Sequence, residues 1–334
     1  MSRPRIKILF AGGTIGMIRN RYSKALEPAQ DLGSILQLIP EIQSEIKIDF
    51  ERVMNLDSTN MKPSDWEILA KTIQKHYDQY DGFVIAQGTD TMAYTASALS
   101  FALQSLSKPV ICTGALMPLN ELGSDGRNNL IYASRVASYD LAEVAIVFGD
   151  KIIRGNRATK YKEGLFDVFK SAKFPLLGEI QRPIKLNEWR KKRRKRVPQF
   201  VPKFNNKVAV IKLFPGFQSE YLQKMIESGI EGVVLEGFGP GNIPHNLIEG
   251  LKRDVEKGIP VVIATQMEEG QTNLKAYEVG YHALEAGVME ARDMTTEACV
   301  TKLMWCLAQT RDLKKIRKMM GTDYAGEITS GMGF

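Results

Sequence analysis

The sequence predicts an α/β protein: a larger N-terminal domain on a mostly parallel sheet flanked by helices, and a smaller C-terminal α/β domain. Three observations predict it. Short apolar runs alternate with segments of helical period, the pattern of a parallel sheet covered on its faces. The pattern pauses between Pro183 and Asn206, a polar, basic stretch carrying Pro183, Pro198 and Pro202, and then restarts. The 334 residues suit about two domains and a sizeable core. The expected division is 1–189 for a catalytic domain, 190–207 for a basic linker and 208–334 for the C-terminal domain.

In chain order, Ile6–Phe10 reads as a strand ending at Gly12-Gly13, and Gly82–Ala86 as a second ending at Gln87-Gly88. Thr91–Ser105 has helical character, with the small residues Ala93, Ala96 and Ala98 for close packing. Val110–Cys112 is a third strand closing on Thr113-Gly114, and Asp125–Ser138 a helix with Asp125 near its cap. Glu143–Phe148 is a fourth strand, followed by a strand pair around Lys151–Arg157. Past the proline-rich stretch come strand Val208–Leu213, helix Glu220–Ser228, strand Val233–Glu236, helix His245–Lys257, strand Pro260–Ala264 and helix Thr295–Leu307.

Composition narrows the class. Apolar residues make up 44% and charged residues 25%, as in ordinary globular proteins. No apolar run approaches the ~20 residues of a membrane span, and the N-terminus lacks signal-peptide anatomy. Cys112, Cys299 and Cys306 form no disulfide framework, which suits a reducing cytoplasm. The net charge is +7, from 45 basic and 38 acidic residues. Seven of the basic ones form the run RKKRRKR, Arg190 to Arg196; taking those seven from the 45 leaves 38 against 38. The body is therefore neutral, and a general nucleic-acid surface is disfavoured. The run could be a nuclear signal or a nucleic-acid patch, but reads first as a solvated linker, dispensable for chemistry.

Several motifs fail. Gly237, Gly239 and Gly241 follow a strand, but the third glycine of a dinucleotide loop is misplaced. There is no P-loop and no G-x-S-x-G elbow. His76, His245 and His282 lack metal-ligand spacing. What remains are two glycine-threonine turns at strand ends, Ala11-Gly12-Gly13-Thr14-Ile15-Gly16 and Ala86-Gln87-Gly88-Thr89-Asp90-Thr91. Ligands of open α/β sheets bind beyond the carboxyl ends of the strands. Glycines there let backbone N–H groups face a developing oxyanion, and each threonine hydroxyl would face the same crevice. Each threonine could instead cap the helix that follows. A hydroxyl nucleophile needs a base, and a lysine of lowered pKa would substitute for histidine. No lysine stands out by composition.

AGGTIG followed some 75 residues later by AQGTDTMAYTASALS resembles the bacterial-type asparaginase family, which includes glutaminase-asparaginases. Asp57-Ser58-Thr59 is similar to its substrate-binding segment. Gly114-Ala115-Leu116-Met117-Pro118 and Ser124-Asp125-Gly126-Arg127-Asn128-Asn129 are similar to its structural turns. Arg157-Ala158-Thr159-Lys160 resembles the segment bearing its catalytic lysine, and Asp293-Met294-Thr295-Thr296-Glu297 the C-terminal segment of the cytosolic type I branch.

The resemblance implies an amidohydrolase converting L-asparagine to L-aspartate and ammonia, with no metal or organic cofactor. It implies Thr14 as the nucleophile that becomes acylated. Thr89, Asp90 and Lys160 are implied as a proton-transfer group, with the lysine in a desolvated site. The Gly13–Thr14 and Thr89 amides are implied as oxyanion donors. Asp90 would also pair with the substrate ammonium, Ser58 with its carboxylate, and Asp57, Thr59 and Gly88 complete the binding set. Tyr22, in a polar segment after Arg19-Asn20-Arg21 that resembles a mobile lid, is implied to orient Thr14. No residue matches the C-terminal glutamate of periplasmic members; Lys275-Ala276-Tyr277-Glu278 resembles the type I pattern and implies Tyr277, with Lys275 beside it. A cytoplasmic homo-oligomer, dimer or tetramer, is implied. An alternative within the family is the asparaginase-like component of a tRNA-dependent amidotransferase; Thr14 near the start of the chain is expected to favour the free-standing enzyme. A non-catalytic amino-acid sensor is a further alternative, opposed by the presence of Thr14, Thr89, Asp90 and Lys160 together.

Overall fold

A computed structural model describes residues 3–19, 22–23, 26–28, 39–164 and 166–329. They divide into two compact units, one of Met1–Ser171 with Pro175–Pro202, the other of Ala172–Phe174 with Lys203–Phe334.

The first unit is built on β1 (Arg5–Gly12), β2 (Lys47–Leu56), β3 (Gly82–Ala86), β4 (Val110–Thr113) and β5 (Val144–Phe148). These pair in parallel in the order β2-β1-β3-β4-β5. β6 (Lys151–Arg154) turns back antiparallel to β5. The eight-stranded sheet ends with two short antiparallel strands, Gly178–Glu179 and Lys185–Leu186. β3, β4 and β5 are buried throughout, which is why they read as unbroken apolar runs. β2 is different. It is an edge strand in which partly buried and exposed residues mix, and no continuous apolar run announces it.

Among the described residues the helices of this unit are α1 (Pro63–His76), α2 (Met92–Ala102) and α3 (Asp125–Val136). α2 stops at Ala102, short of the expected Ser105, because Leu103–Gln104 pairs with Gln199–Phe200 as an antiparallel ribbon. The expected strand pair at Lys151–Arg157 is one strand, β6, followed by a helical turn, Gly155–Arg157. The two structural turns of the sequence clamp each other. The Asp125 carboxylate accepts from the Leu116 and Met117 N–H groups, and Asn129 donates to Gly114 O while accepting from Gly149 N–H.

The basic run is folded onto this unit and is no free linker. Arg190 donates to Asp140 O and Oδ2, Arg193 to Tyr139 O and Ala137 O, and the Lys191 N–H to Glu143 Oε1. The carbonyl of Ala137, the C-cap of α3, thus finds a cationic donor. Burial, opposed by Asp81 and Asp140, lowers the Arg193 pKa. Arg194, Lys195 and Arg196 remain exposed. Replacing those three with glutamine is expected to leave the melting temperature unchanged. Arg193→Ala is expected to cost about 1.5–3 kcal/mol through its charged hydrogen bonds, as read by urea denaturation.

The second unit carries the parallel sheet β7 (Val208–Lys212), β8 (Gly232–Gly237), β9 (Val261–Thr265) and β10 (Met289–Glu290), paired in that order. Its helices are α4 (Ser219–Glu227), α5 (Ile248–Glu256), α6 (Glu278–Glu285), α7 (Thr296–Gln309) and α8 (Leu313–Gly321). Lys302 on α7 and Glu327 are wholly buried and pair at 2.6 Å; Lys302 also donates to Met320 O and Thr322 O. Burial raises the Glu327 pKa, but Lys302 and hydrogen bonds outweigh it and hold it at about 2. Its folded value lies below the ordinary 4.5. The stabilisation is therefore present above that value and lost as pH falls from it towards 2. Lys302→Met should cost roughly 3–5 kcal/mol by stranding a buried carboxylate, and should abolish this acid-labile component in denaturation curves taken across that range.

Candidate active site

The strand order places a crevice between the two glycine-threonine turns. From β1 the chain runs to β2 on one side and returns to β3 on the other, so the connections leaving β1 and β3 diverge. Such a switch point leaves space for a ligand beyond the strand ends. Thr14 opens a single helical turn directly after β1, and Thr89 follows β3.

Absent side chains bring the turns together. A Cβ on Gly13 would lie 2.2 Å from Gly88 N, and one on Gly88 would lie 2.6 Å from Ser58 Oγ. Gly13 also has φ 78, a region costly for other residues. Gly13 N–H donates to Leu56 O at 3.1 Å, tying the end of β1 to the end of β2. That bond removes Gly13 from the expected oxyanion donors. Neither threonine caps a helix. The cap residues are Gly13 and Thr91, and Thr91 Oγ1 donates instead to Ser58 O at 2.8 Å. The loops after β1, β2 and β3 therefore form one continuous floor.

Asp57 spends its carboxylate on this floor. It accepts from Thr59 N–H and Thr59 Oγ1, both at 2.9 Å, and these bonds hold its pKa below the ordinary value. The turn buries Ser58 to 3% exposure against Gly88 and leaves Thr59 exposed.

Lys160 reaches the site from another direction. It ends the strand Ala158–Lys160, which pairs antiparallel with Phe169–Ser171 and follows the Gly155–Arg157 turn packed on α2. Asn156 and Arg157 are fully buried and anchor that turn. Lys160 Nζ lies 2.6 Å from Asp90 Oδ1, 3.3 Å from Thr89 Oγ1 and 2.8 Å from Glu163 Oε2. Burial works against its charge, but hydrogen bonds and charges of Asp90 and Glu163 outweigh burial and raise its pKa. The sequence leads to the expectation of a lysine of lowered pKa; without substrate the lysine is instead held protonated, because two carboxylates face it. Glu163 is the group sequence reasoning missed. Its signal is an acid three residues after the lysine.

The bonds that join Lys160 to Thr89 and Asp90 include neither tyrosine, so they do not carry the role expected of either. Tyr22 is 96% exposed, and Asn20 and Arg21 of the segment before it lie outside the described residues. Tyr277 belongs to the second unit, 58% exposed at the start of α6, with Lys275 in the turn before it. Cysteine chemistry finds no foothold. All three thiols are buried, and burial pushes each up to about 12. The fold brings His245 and His282 together edge-to-face with centroids 6.4 Å apart. Even so, no group of three or more metal-ligating side chains occurs among the described residues.

Comparison with known proteins agrees with this geometry. The family model "Asparaginase, N-terminal" matches residues 5–192, and "Glutaminase/Asparaginase C-terminal domain" matches residues 207–320. The chain is 39% identical to L-asparaginase 1 of Escherichia coli over 98% of this chain and 99% of that one. It is 36% identical to a glutamyl-tRNA(Gln) amidotransferase subunit from Pyrococcus abyssi, covering 98% of this chain and 77% of that one. The solved structure of the thermostable L-asparaginase from Thermococcus kodakarensis superposes with a TM-score of 0.91 at 37% identity, over 98% of this chain and all of that one. With both halves matched and the threonine turns joined at the switch point, the chain belongs to the asparaginase family.

Proposed function

We propose that this protein is an L-asparaginase, an amidohydrolase that converts L-asparagine and water to L-aspartate and ammonia through an acyl-enzyme on Thr14. The observation that carries the reading is the contact of Lys160 Nζ with both Thr89 Oγ1 and Asp90 Oδ1, on a floor where the Gly13 and Gly88 turns touch. Asp90 Oδ2 has no partner among the described residues. One oxygen can thus take the substrate ammonium while the other holds Lys160. Ser58 offers a hydroxyl donor to the substrate carboxylate, while the Thr59 hydroxyl is donated to Asp57, which shapes the turn.

Thr14 Oγ attacks the side-chain amide carbon, ammonia leaves, and water then cleaves the ester. The Thr14 and Thr89 N–H groups stabilise the oxyanion. Thr89, Lys160 and Asp90 move the protons. Lys160 can accept one only in its neutral form, and the substrate ammonium at Asp90 weakens the hold that keeps it charged. Tyr22 closing over Thr14 and Tyr277 contributed from the C-terminal half complete the reading. Both roles rest on the family resemblance, as does a cytoplasmic homodimer or tetramer. Three unpaired buried cysteines are compatible with a reducing compartment. No helix among the described residues is long and apolar enough to cross a membrane.

The test is ammonia release from asparagine and from glutamine over a concentration series. Release from asparagine is expected, rising with pH as Lys160 loses its proton, with stoichiometric L-aspartate. Release no greater than that of Thr14→Ala would overturn the reading. Light scattering should give at least twice the chain mass; a monomer in an active preparation would overturn the assembly.

A further inference from the structure

Lys160 is the one cation in contact with Asp90 and Thr89 among the described residues, and few groups face it. Asp90 and Thr89 come from the loop after β3. Glu163 comes from the turn after Lys160. α2, which packs on the lysine's strand, has no charged side chain, and Tyr94 is its only titratable group. The neighbouring strand offers Lys170, but its ammonium lies over the Tyr161 ring at 5.0 Å, as does that of Lys162 at 4.8 Å. Asp167 pairs with Lys151. Glu163 is thus the only carboxylate besides Asp90 with a contact to this lysine among the described residues.

The two carboxylates have different surroundings and different duties. Asp90 sits at the crevice and, in the reading above, must also take the substrate ammonium. Glu163 is 81% exposed and has Lys160 as its partner, while the lysine side chain is 14% exposed. We propose that Glu163 is a positioning residue for the reaction: its carboxylate holds the Lys160 ammonium beside Thr89 once the substrate shares Asp90, and so governs when that lysine can take a proton. Lys160 first releases a proton to solvent; its lone pair then takes the proton of the Thr89 hydroxyl as the Thr89 oxygen takes that of the attacking hydroxyl or water, and the Lys160 ammonium returns its proton to the leaving group. The proposal rests on the role given to Lys160 above. It adds a residue to which the resemblance assigns nothing.

A readout independent of turnover separates the two. Reductive methylation with 13C-formaldehyde labels the lysines, and the Lys160 signal is assigned by its absence in Lys160→Arg. In Glu163→Gln the Lys160 titration midpoint should fall by about one unit, as expected on removing a close opposite charge. The acid limb of kcat/KM for asparagine should move to lower pH by the same amount, with KM changed less than twofold. Glu163→Ala should behave likewise, and Glu163→Asp should recover part of the shift. Being exposed, these variants should fold, which circular dichroism checks. An unchanged or raised midpoint overturns the proposal whatever the turnover. A lowered midpoint with an unmoved acid limb overturns the role in the reaction. Absence of asparagine hydrolysis in the wild type, with a lowered midpoint in Glu163→Gln, overturns the asparaginase reading and leaves the Lys160–Glu163 coupling intact.

Discussion

Thr14→Ala and Thr89→Val will each lower kcat on asparagine by about three orders of magnitude or more, and the double variant will be little worse than either. Members of one catalytic unit are strongly non-additive. The two hydroxyls sit on turns whose backbones touch, and Lys160 contacts Thr89. Their roles should nonetheless differ. Thr89 is buried and its Oγ1 is already a partner of Lys160, which suits proton transfer. The Thr14 side chain has no hydrogen bond to another described residue and only intermediate burial, which suits attack. Incubating Thr89→Val with a slow acylating asparagine analogue, followed by peptide mass spectrometry, should find the adduct on Thr14. An adduct on Thr89 of the wild type, with Thr14 unmodified, would reverse the assignment.

Asp90→Ala will damage binding as well as turnover. Its carboxylate is read as serving two cations, the substrate ammonium and Lys160 at 2.6 Å. Removing one partner of a desolvated charge pair costs about 2–5 kcal/mol, which corresponds to roughly 30-fold to several-thousand-fold in kcat/KM. KM should rise steeply, and calorimetry should show L-aspartate binding weakened in parallel. The carboxylate is half exposed in the free protein, so the lower end of that range applies if substrate does not exclude water. A variant with unchanged KM and reduced kcat would remove Asp90 from the ammonium site and leave it only as a partner of Lys160.

Much of the first unit was legible along the chain, for a local reason. Strands of a parallel sheet covered on both faces are short unbroken apolar runs, and Gly82–Ala86 is found where the sequence puts it. The glycine-threonine turns announce themselves because glycine is demanded where backbones touch. β2 escaped notice because an edge strand alternates: Lys47, Asp49, Glu51 and Arg52 interrupt its apolar residues. The helix after Asn60 escaped as well. Its N-terminus is set by Pro63 and by Asp65 accepting from the Lys62 N–H, signals that carry no long apolar stripe.

The sequence by itself determined the alternation of strands and helices, the two threonine turns and the neutrality of the body outside one basic run. Composition left the lysine open among many and only the family resemblance named Lys160; the tertiary structure brings it to Thr89, because a strand folds back some 70 residues later. It also decided the charge on that lysine. The sequence pointed to a desolvated base, while the fold sets Asp90 and Glu163 around it, and two close carboxylates outweigh partial burial. The fate of the basic run was settled in the same way. Seven like charges in a row repel and predict a solvated chain, yet Arg190 and Arg193 find backbone carbonyls and the Asp140 carboxylate at and beyond the end of α3. Local composition measures what a segment costs to order; the partners that offset that cost are brought by distant parts of the chain.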